Sequence, residues 1–354
     1  MSLPKNQSFA TIRAGGYNVN AAAFNTVSAQ DGRFHDRHPT IRRPTSTMTP
    51  MDSTSPKDPF CSIGDALLAR APAKINLTLL VAGKRPDGFH ELETIMAKVT
   101  FYDEVRVEPG ARGGIELVCT GPQWAPQGPE NLVYRAGEAL LEATGVTADL
   151  RITLTKNIPA GSGLGSASSD AATTLLALNR YLRLNADRGL LTRLAAGLGS
   201  DVAFFLGGPL ALCTGRGEIV TSLTGDFDVR VLLVLPDISV STKKVYENYA
   251  HDHRRYLTLH RQIKSRIEKD NNVDFAAGLC VNMLAGSCLE LVPALGELKT
   301  LLESRGTGSL CLSGSGSAMF CLLESTDEAT ADIPTHLAGD PLNYHCVLVR
   351  NNRW

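Results

Sequence analysis

The chain has 354 residues, 43% of them hydrophobic and 20% charged, with a formal net charge of -1. That length suggests two or three domains with ample sequence for a core, and the near-neutral charge excludes a chain that binds nucleic acid or acidic membranes through its whole surface. No apolar run reaches the roughly 18 residues that cross a bilayer, so no membrane partner is expected. The eight cysteines form no C-x-x-C pair and have no histidine at zinc-finger spacing. Most lie in apolar runs, as Cys213 and Cys321 do, and read as buried reduced thiols.

Residues 1–64 read as a disordered extension, rich in Ser, Thr, Asn, Pro and Ala and without a sustained apolar period. Lys5, Arg13, Arg33, Arg37, Arg42 and Arg43 outnumber Asp31 and Asp36 there, which is the composition of an organelle transit peptide. The simpler reading is a dispensable tail, or an extension ahead of a start at Met48 or Met51. The protein is accordingly expected in the cytoplasm, or in a plastid if the extension is a transit peptide. Order is expected from near Asp65. Ala71 to Val81 alternates as a strand, Arg85-Pro-Asp-Gly88 is a turn signal, and Thr100 to Glu108 alternates again. Leu132 to Ala143 has helical periodicity, and Leu150 to Leu154 is a short strand. Ala171, Leu175, Leu178 and Leu182 make one apolar stripe on a helix, and Leu190 to Leu198 is a second helix. Val231 to Leu235 reads as a buried strand, and residues 251–272 as a polar surface insertion, mobile or helical. Beyond Val273, helices alternate with strand-like Ser309–Leu312 and Ala318–Leu323. The order of elements is α+β, not a regular βαβ series.

The most informative segment is Ile158-Pro-Ala-Gly-Ser-Gly-Leu-Gly-Ser-Ala-Ser-Ser169, set between a strand and an amphipathic helix. Gly161, Gly163 and Gly165 permit backbone conformations closed to other residues and a close approach to a ligand. The free N–H groups of the following helix favour an anion there, and Ser166, Ser168 and Ser169 add hydroxyl donors. Each part suits a polyphosphate. No lysine stands where a Walker A loop needs one, and Ser166 breaks a dinucleotide fingerprint. A purely structural glycine turn would not normally carry so many serines at a helix start.

Pro159 through Ala172 resembles the phosphate loop of the GHMP kinases. Two further marks of that superfamily occur in order: Pro72-Ala-Lys-Ile-Asn76 at the first strand and the late glycine-rich turn Ser313-Gly-Ser-Gly-Ser-Ala318. The resemblance covers about residues 70–350. Lys84-Arg-Pro-Asp-Gly-Phe-His90, Asn131-Leu-Val, Gly199-Ser-Asp-Val-Ala-Phe-Phe205, Thr214-Gly-Arg-Gly217 and Val240-Ser-Thr-Lys-Lys-Val-Tyr246 are similar to the diphosphocytidyl-methylerythritol kinase branch.

The resemblance implies a two-lobed α+β GHMP kinase fold, with a ribosomal-protein-S5-like amino lobe (65–228) and a ferredoxin-like carboxyl lobe (229–354). It implies ATP as co-substrate with Mg²⁺, and phosphorylation of the 2-hydroxyl of a methylerythritol substrate carrying cytidine diphosphate, on the route to isoprenoid precursors. The enzyme is expected as a monomer or homodimer, with no nucleic-acid partner.

Asp201 is then the base that takes the hydroxyl proton, although a carboxylate at an element boundary also serves as a helix cap. Lys74 is its partner, a lysine in an apolar strand whose charge must be paired if buried; an edge-strand lysine that snorkels is the bland alternative. ATP is assigned to Pro159, Ala160, Gly161, Ser162, Gly163, Leu164, Gly165, Ser166, Ala167, Ser168 and Ser169, with Asn131 and Lys156 on the nucleotide side. Asn76, Phe89, His90, Thr242 and Tyr246 are assigned to the substrate, the aromatic rings to its cytidine end. Taken alone, one histidine after a turn is more often a surface residue. Asp170 departs from the branch pattern, and either caps the helix or approaches Mg²⁺ through water. Two other readings stay open: a GHMP kinase for a different small alcohol, and a non-catalytic nucleotide- or RNA-binding module.

Overall fold

A computed structural model describes residues 58–111, 113–223, 229–269, 280–323 and 334–354. Most of the proposed extension therefore lies outside the described residues, as do residues 270–272 of the polar insertion. Among the described residues the chain order begins with β1 (Phe60–Ile63), β2 (Ala66–Lys84), β3 (His90–Pro109), β4 (Ile115–Thr120), α1 (Leu132–Thr144) and β5 (Leu150–Thr155). It continues with α2 (Ser166–Tyr181), α3 (Arg188–Leu198), α4 (Val202–Leu206), β6 (Leu210–Gly215) and β7 (Ile219–Ser222). The carboxyl-terminal part holds β8 (Arg230–Pro236), α5 (Thr242–Asn248), α6 (His253–Lys269), β9 (Val281–Asn282), α7 (Ala285–Leu291) and α8 (Pro293–Ser304). It closes with β10 (Cys311–Leu312), β11 (Met319–Leu323) and β12 (Tyr344–Arg350).

Two sheets organise these elements. The first runs β1-β2-β3-β5-β4, with β6 and β7 continuing from β3 and β9 added to β2; the second runs β10-β11-β8-β12. β2 and β3 are 19 and 20 residues long, and register shifts at Pro72/Ala73, Asn76/Thr78 and Val81/Gly83 break their pairing. Such bulges bend a ribbon, so one strand pair can serve two neighbours: Glu104–Pro109 of β3 pairs with β5, and Leu92–Ala97 pairs with β6. The middle of β2 is buried on both faces. Ile75 and Leu77 enter one core with the second sheet, α7 and α8, while Leu67 and Ala69 enter another with α1, α2 and α3. Each buried leucine contributes about 1.5–3 kcal/mol.

Most sequence expectations stand. Of the expected stripe, Ala171, Leu175 and Leu178 are buried on α2, whereas Leu182 is its half-buried C-cap; Val231 to Leu235 is buried within β8. The polar insertion is helical over α6. Three differ. β1 falls inside the segment expected to lack structure; it pairs with β2 and places Phe60 against the helical core, so order begins before Asp65. β3 starts at His90, ten residues ahead of the expected Thr100, because His90 to Glu93 are half-buried and Thr94 to Val99 are buried, a pattern without alternation. β9 lies beyond residue 229 yet pairs with Thr78 and Leu79 of the first sheet, so the sheet takes strands from both sides of that boundary. All eight cysteines are free, as expected, but only Cys213, Cys288 and Cys321 are buried; Cys119, Cys280, Cys311 and Cys346 are half-buried and Cys61 is exposed. No helix among the described residues is long and apolar enough to cross a membrane.

Candidate active site

The glycine loop joins β5 to α2 and is fixed from both sides. The Lys74 backbone N–H donates to Leu164 O at 2.9 Å, and Ala318 N–H donates to Ser162 O at 2.9 Å. Ser313 Oγ donates to Gly163 O at 2.9 Å. The late glycine turn thus lies directly against the phosphate loop. Gly163 has φ +83°, and a Cβ there would sit 2.0 Å from Ser313 O, so no other residue fits. Gly165 occupies the N-cap of α2 in the left-handed region, φ +70°. The 16-residue helix begins without a side-chain cap, which leaves first-turn N–H groups directed at the loop.

Lys74 and Asp201 meet beside this loop. Alternation along β2 turns Lys74 and Asn76 away from the Ile75 core. Lys74 is 3% exposed; its Nζ donates to Asn76 Oδ1 at 2.6 Å and to Gly163 O at 2.7 Å. Asp201 Oδ2 stands 3.7 Å from the same Nζ, with the Asp201 side chain 29% exposed toward the cavity. Burial lowers the Lys74 pKa, and the Asp201 charge opposes that shift. Asp201 stands at the N-cap of α4, but its side chain caps no backbone N–H. The carboxylate is therefore left for the cavity.

The cavity, about 810 Å³, runs from the glycine loop past Lys74 and Asp201 to Phe89 and His90. His90 and Tyr246 face each other with ring centroids 5.0 Å apart and an interplanar angle of 30°. Phe89 is 53% exposed, with the Arg216 guanidinium 4.9 Å from its ring centroid. Burial, then Lys84 and His251, lower the His90 pKa, so the imidazole is held neutral and able to donate and accept. Burial, then Asp201, raise the Tyr246 pKa, which keeps the phenol protonated. Thr242 Oγ1 lies 2.8 Å from Ser315 Oγ, and both residues line the cavity.

Not every sequence-assigned residue reaches this space. Pro159 to Gly163 and Gly165 to Ser168 line it, as do Asn76, Thr242 and Tyr246. Leu164 and Ser169 are fully buried beneath the loop. Asn131 is occupied elsewhere: Oδ1 accepts from Val133 N at 2.9 Å, capping α1, and Nδ2 donates to Pro126 O at 2.8 Å. Lys156 points into the protein, where Nζ donates to Asp103, Ser166 and, at 2.6 Å, Asp170. Burial opposes the Lys156 charge, but Asp170 and Asp103 outweigh it and raise its pKa. Burial pushes Asp170 well above the usual carboxylate range, against the pull of Lys156. Asp170 therefore neither caps the helix nor lines the cavity. The sequence reading missed Asp103, whose Oδ1 accepts from Asn157 N at 2.6 Å and Ile158 N at 2.8 Å and anchors the loop entrance. It also left Thr94, Arg216, Gly314 and Ser315 of the cavity wall unassigned. The Thr214-Gly-Arg-Gly217 and Ser313–Ala318 segments were signals for three of these four.

A family profile described as the GHMP kinases N terminal domain matches residues 131–208, which include the loop and Asp201. A 4-diphosphocytidyl-2-C-methyl-D-erythritol kinase from Syntrophus aciditrophicus (strain SB) is 40% identical over 259 residues, 73% of this chain and 90% of that protein. The chain belongs to this kinase family. A second member, from Pelotomaculum thermopropionicum, is 40% identical over 74% of this chain and 91% of its own length. A crystal structure of 4-(cytidine 5'-diphospho)-2C-methyl-D-erythritol kinase matches with a TM-score of 0.63 and 33% identity, over 80% of this chain and 98% of that one. Homoserine kinase from Cytophaga hutchinsonii, at 19% identity and a TM-score of 0.63 over 83% of this chain and 98% of its own, shares the fold. The two-lobed GHMP kinase fold is thus the fold of this chain.

Proposed function

We propose that this kinase transfers the γ-phosphoryl group of ATP to the 2-hydroxyl of 4-diphosphocytidyl-2-C-methyl-D-erythritol. The observation that carries the site assignment is the Lys74–Asp201 pair, 3.7 Å apart, standing between the phosphate loop and the His90–Tyr246 rings. Phosphoryl transfer is mostly positioning and charge stabilisation, and the cavity offers a place for each component. The polyphosphate lies along Gly161 to Ser168, where α2 presents its positive end. Asp201 accepts the hydroxyl proton, a role worth about 10²–10⁴-fold. Lys74 is held by Asn76 and Gly163 O, so its ammonium faces Asp201 without rotamer freedom and stabilises charge on the transferring group.

The cytidine end lies against Phe89, His90 and Tyr246, with Thr242 beside them. A neutral imidazole both stacks and hydrogen-bonds a pyrimidine. Among the described residues no cluster of three or more His, Cys, Asp or Glu is placed to hold a metal. Ser168 and Asp201, oxygen donors of the cavity wall beside the glycine loop, would hold Mg²⁺ together with the nucleotide, and the ion would supply charge neutralisation there.

The test is ATP consumption coupled to 4-diphosphocytidyl-2-C-methyl-D-erythritol, for wild type beside Asp201→Asn. Turnover cut by about 10² or more in the variant supports both substrate and base. Turnover by Asp201→Asn near that of wild type removes Asp201 from the role. A wild type that binds ATP but ignores this acceptor points to another small alcohol.

A further inference from the structure

Lys98 of β3 is a further buried lysine, 2% exposed, and stands directly opposite Lys74 in the β2–β3 register. Residues opposite one another in an antiparallel pair project to the same face. Both lysines reach the same short helix, one at each end. Lys74 meets Asp201, the residue before α4. Lys98 Nζ donates to Phe205 O at 3.2 Å and to Gly207 O at 2.7 Å, at the carbonyl end. Arg188 Nη1 donates to Leu206 O at 3.3 Å, so three consecutive carbonyls are taken by two cations. α4 is five residues long and wholly buried, about 7.5 Å end to end, and it is too short for its own hydrogen bonds to fix it. Its last turn also touches the phosphate loop: a Cβ on Gly165 would meet Phe205 Cζ at 3.0 Å.

We propose that Lys98 is a positioning residue for phosphoryl transfer, holding the carbonyl end of α4 so that Asp201 at its other end stands opposite Lys74. Burial, with Arg188 adding to it, brings the Lys98 pKa down to about 7. The charged and the neutral amine both keep hydrogens enough for two carbonyls, so the clamp survives either state. Without it, the buried carbonyl of Phe205 and the half-buried carbonyl of Gly207 lose their donor, and the helix end shifts to find partners. A displacement of the base by about 1 Å costs as much as 10²-fold in rate.

This inference rests on the kinase reading, and the experiment separates the two. Steady-state kinetics with ATP and 4-diphosphocytidyl-2-C-methyl-D-erythritol are measured on wild type, Lys98→Met, Asp201→Asn and the double variant. Lys98→Met lowers kcat by about tenfold or more while both KM values stay within about threefold. On the Asp201→Asn background it has no further effect, because the group it positions is gone. A merely structural lysine would produce the same loss on both backgrounds, and that result overturns the proposal. So does a folded Lys98→Met with kcat within about twofold of wild type. If Lys98→Met does not fold, the exposed Arg188→Gln decides: a fall in kcat of about threefold or more at constant KM supports the clamp, and unchanged kcat overturns it. A wild type without turnover overturns the kinase reading and this inference with it, whereas an active wild type beside an equally active Lys98→Met overturns this inference alone.

Discussion

The buried Lys98 ties stability to pH in a direction that can be worked out in advance. Its pKa in the folded protein is about 7 against an ordinary 10.5. Between those values the unfolded chain binds one proton that the folded chain does not, so this residue makes stability rise with pH. Below pH 7 both states carry the proton and its contribution to the slope vanishes. One proton corresponds to at most about 1.4 kcal/mol per pH unit. Between pH 7 and 9 the slope starts at half that value, so the gain integrates to about 2 kcal/mol. Lys98→Met removes the titrating group and keeps most of the stem. Denaturant unfolding of both proteins at pH 6, 7, 8 and 9 isolates the difference, since every other group titrates in both. The wild type should gain on the variant by about 2 kcal/mol from pH 7 to 9 and by little from pH 6 to 7. Parallel stability curves across the whole range would refute the reasoning, for they would mean that Lys98 stays charged in the folded protein.

Gly163→Ala puts a methyl group 2.0 Å from Ser313 O at φ +83°, so it should destabilise by several kcal/mol in denaturant unfolding and weaken ATP binding. Gly197→Ala, in α3 with nothing within 4 Å of the new Cβ, should instead stabilise by about 0.5–1 kcal/mol. Asn131→Ala removes the α1 cap seen in the Oδ1–Val133 N bond and should cost about 1–2 kcal/mol of unfolding free energy, with a much smaller effect on the KM for ATP.

The parts of the site legible in the sequence are those made by local rules. A strand, a glycine run and a serine-led amphipathic helix announce the phosphate loop, because periodicity and φ freedom are properties of neighbouring residues. The turn at Arg85–Gly88 is of the same kind, with Gly88 N–H donating to Arg85 O at 3.1 Å. Lys156 shows where local reasoning stops. A lysine just before a phosphate loop looks aimed at phosphate, yet Asp103, 53 residues earlier, and Asp170, 14 later, claim it. Nothing near Lys156 announces Asp103, since the β3–β5 pairing that brings it close is itself nonlocal. Asn131 is similar: its capping signal and its resemblance-based assignment compete, and the side chain satisfies the backbone. Lys98 gave no local sign at all, for an isolated lysine in a strand reveals neither its register against Lys74 nor the helix end it meets.

The strand Val281–Asn282 has a consequence for synthesis on the ribosome. Met283 N–H donates to Leu79 O at 2.9 Å, and Asn282 Nδ2 holds Leu312 O at 3.0 Å and Gly314 O at 2.7 Å. The nascent chain emerges with β2 and its lysine some 200 residues before the strand that covers its edge, as in the separation of Val81 N from Met283 Sδ by 202 positions. Until then that edge presents open hydrogen-bonding groups, the template that invites mispairing between chains. A fragment ending at residue 228 would carry the glycine loop, Lys74 and Asp201 and still lack the turn that closes over them. Completing the last third of the chain is therefore the step that turns a partly paired sheet into a site.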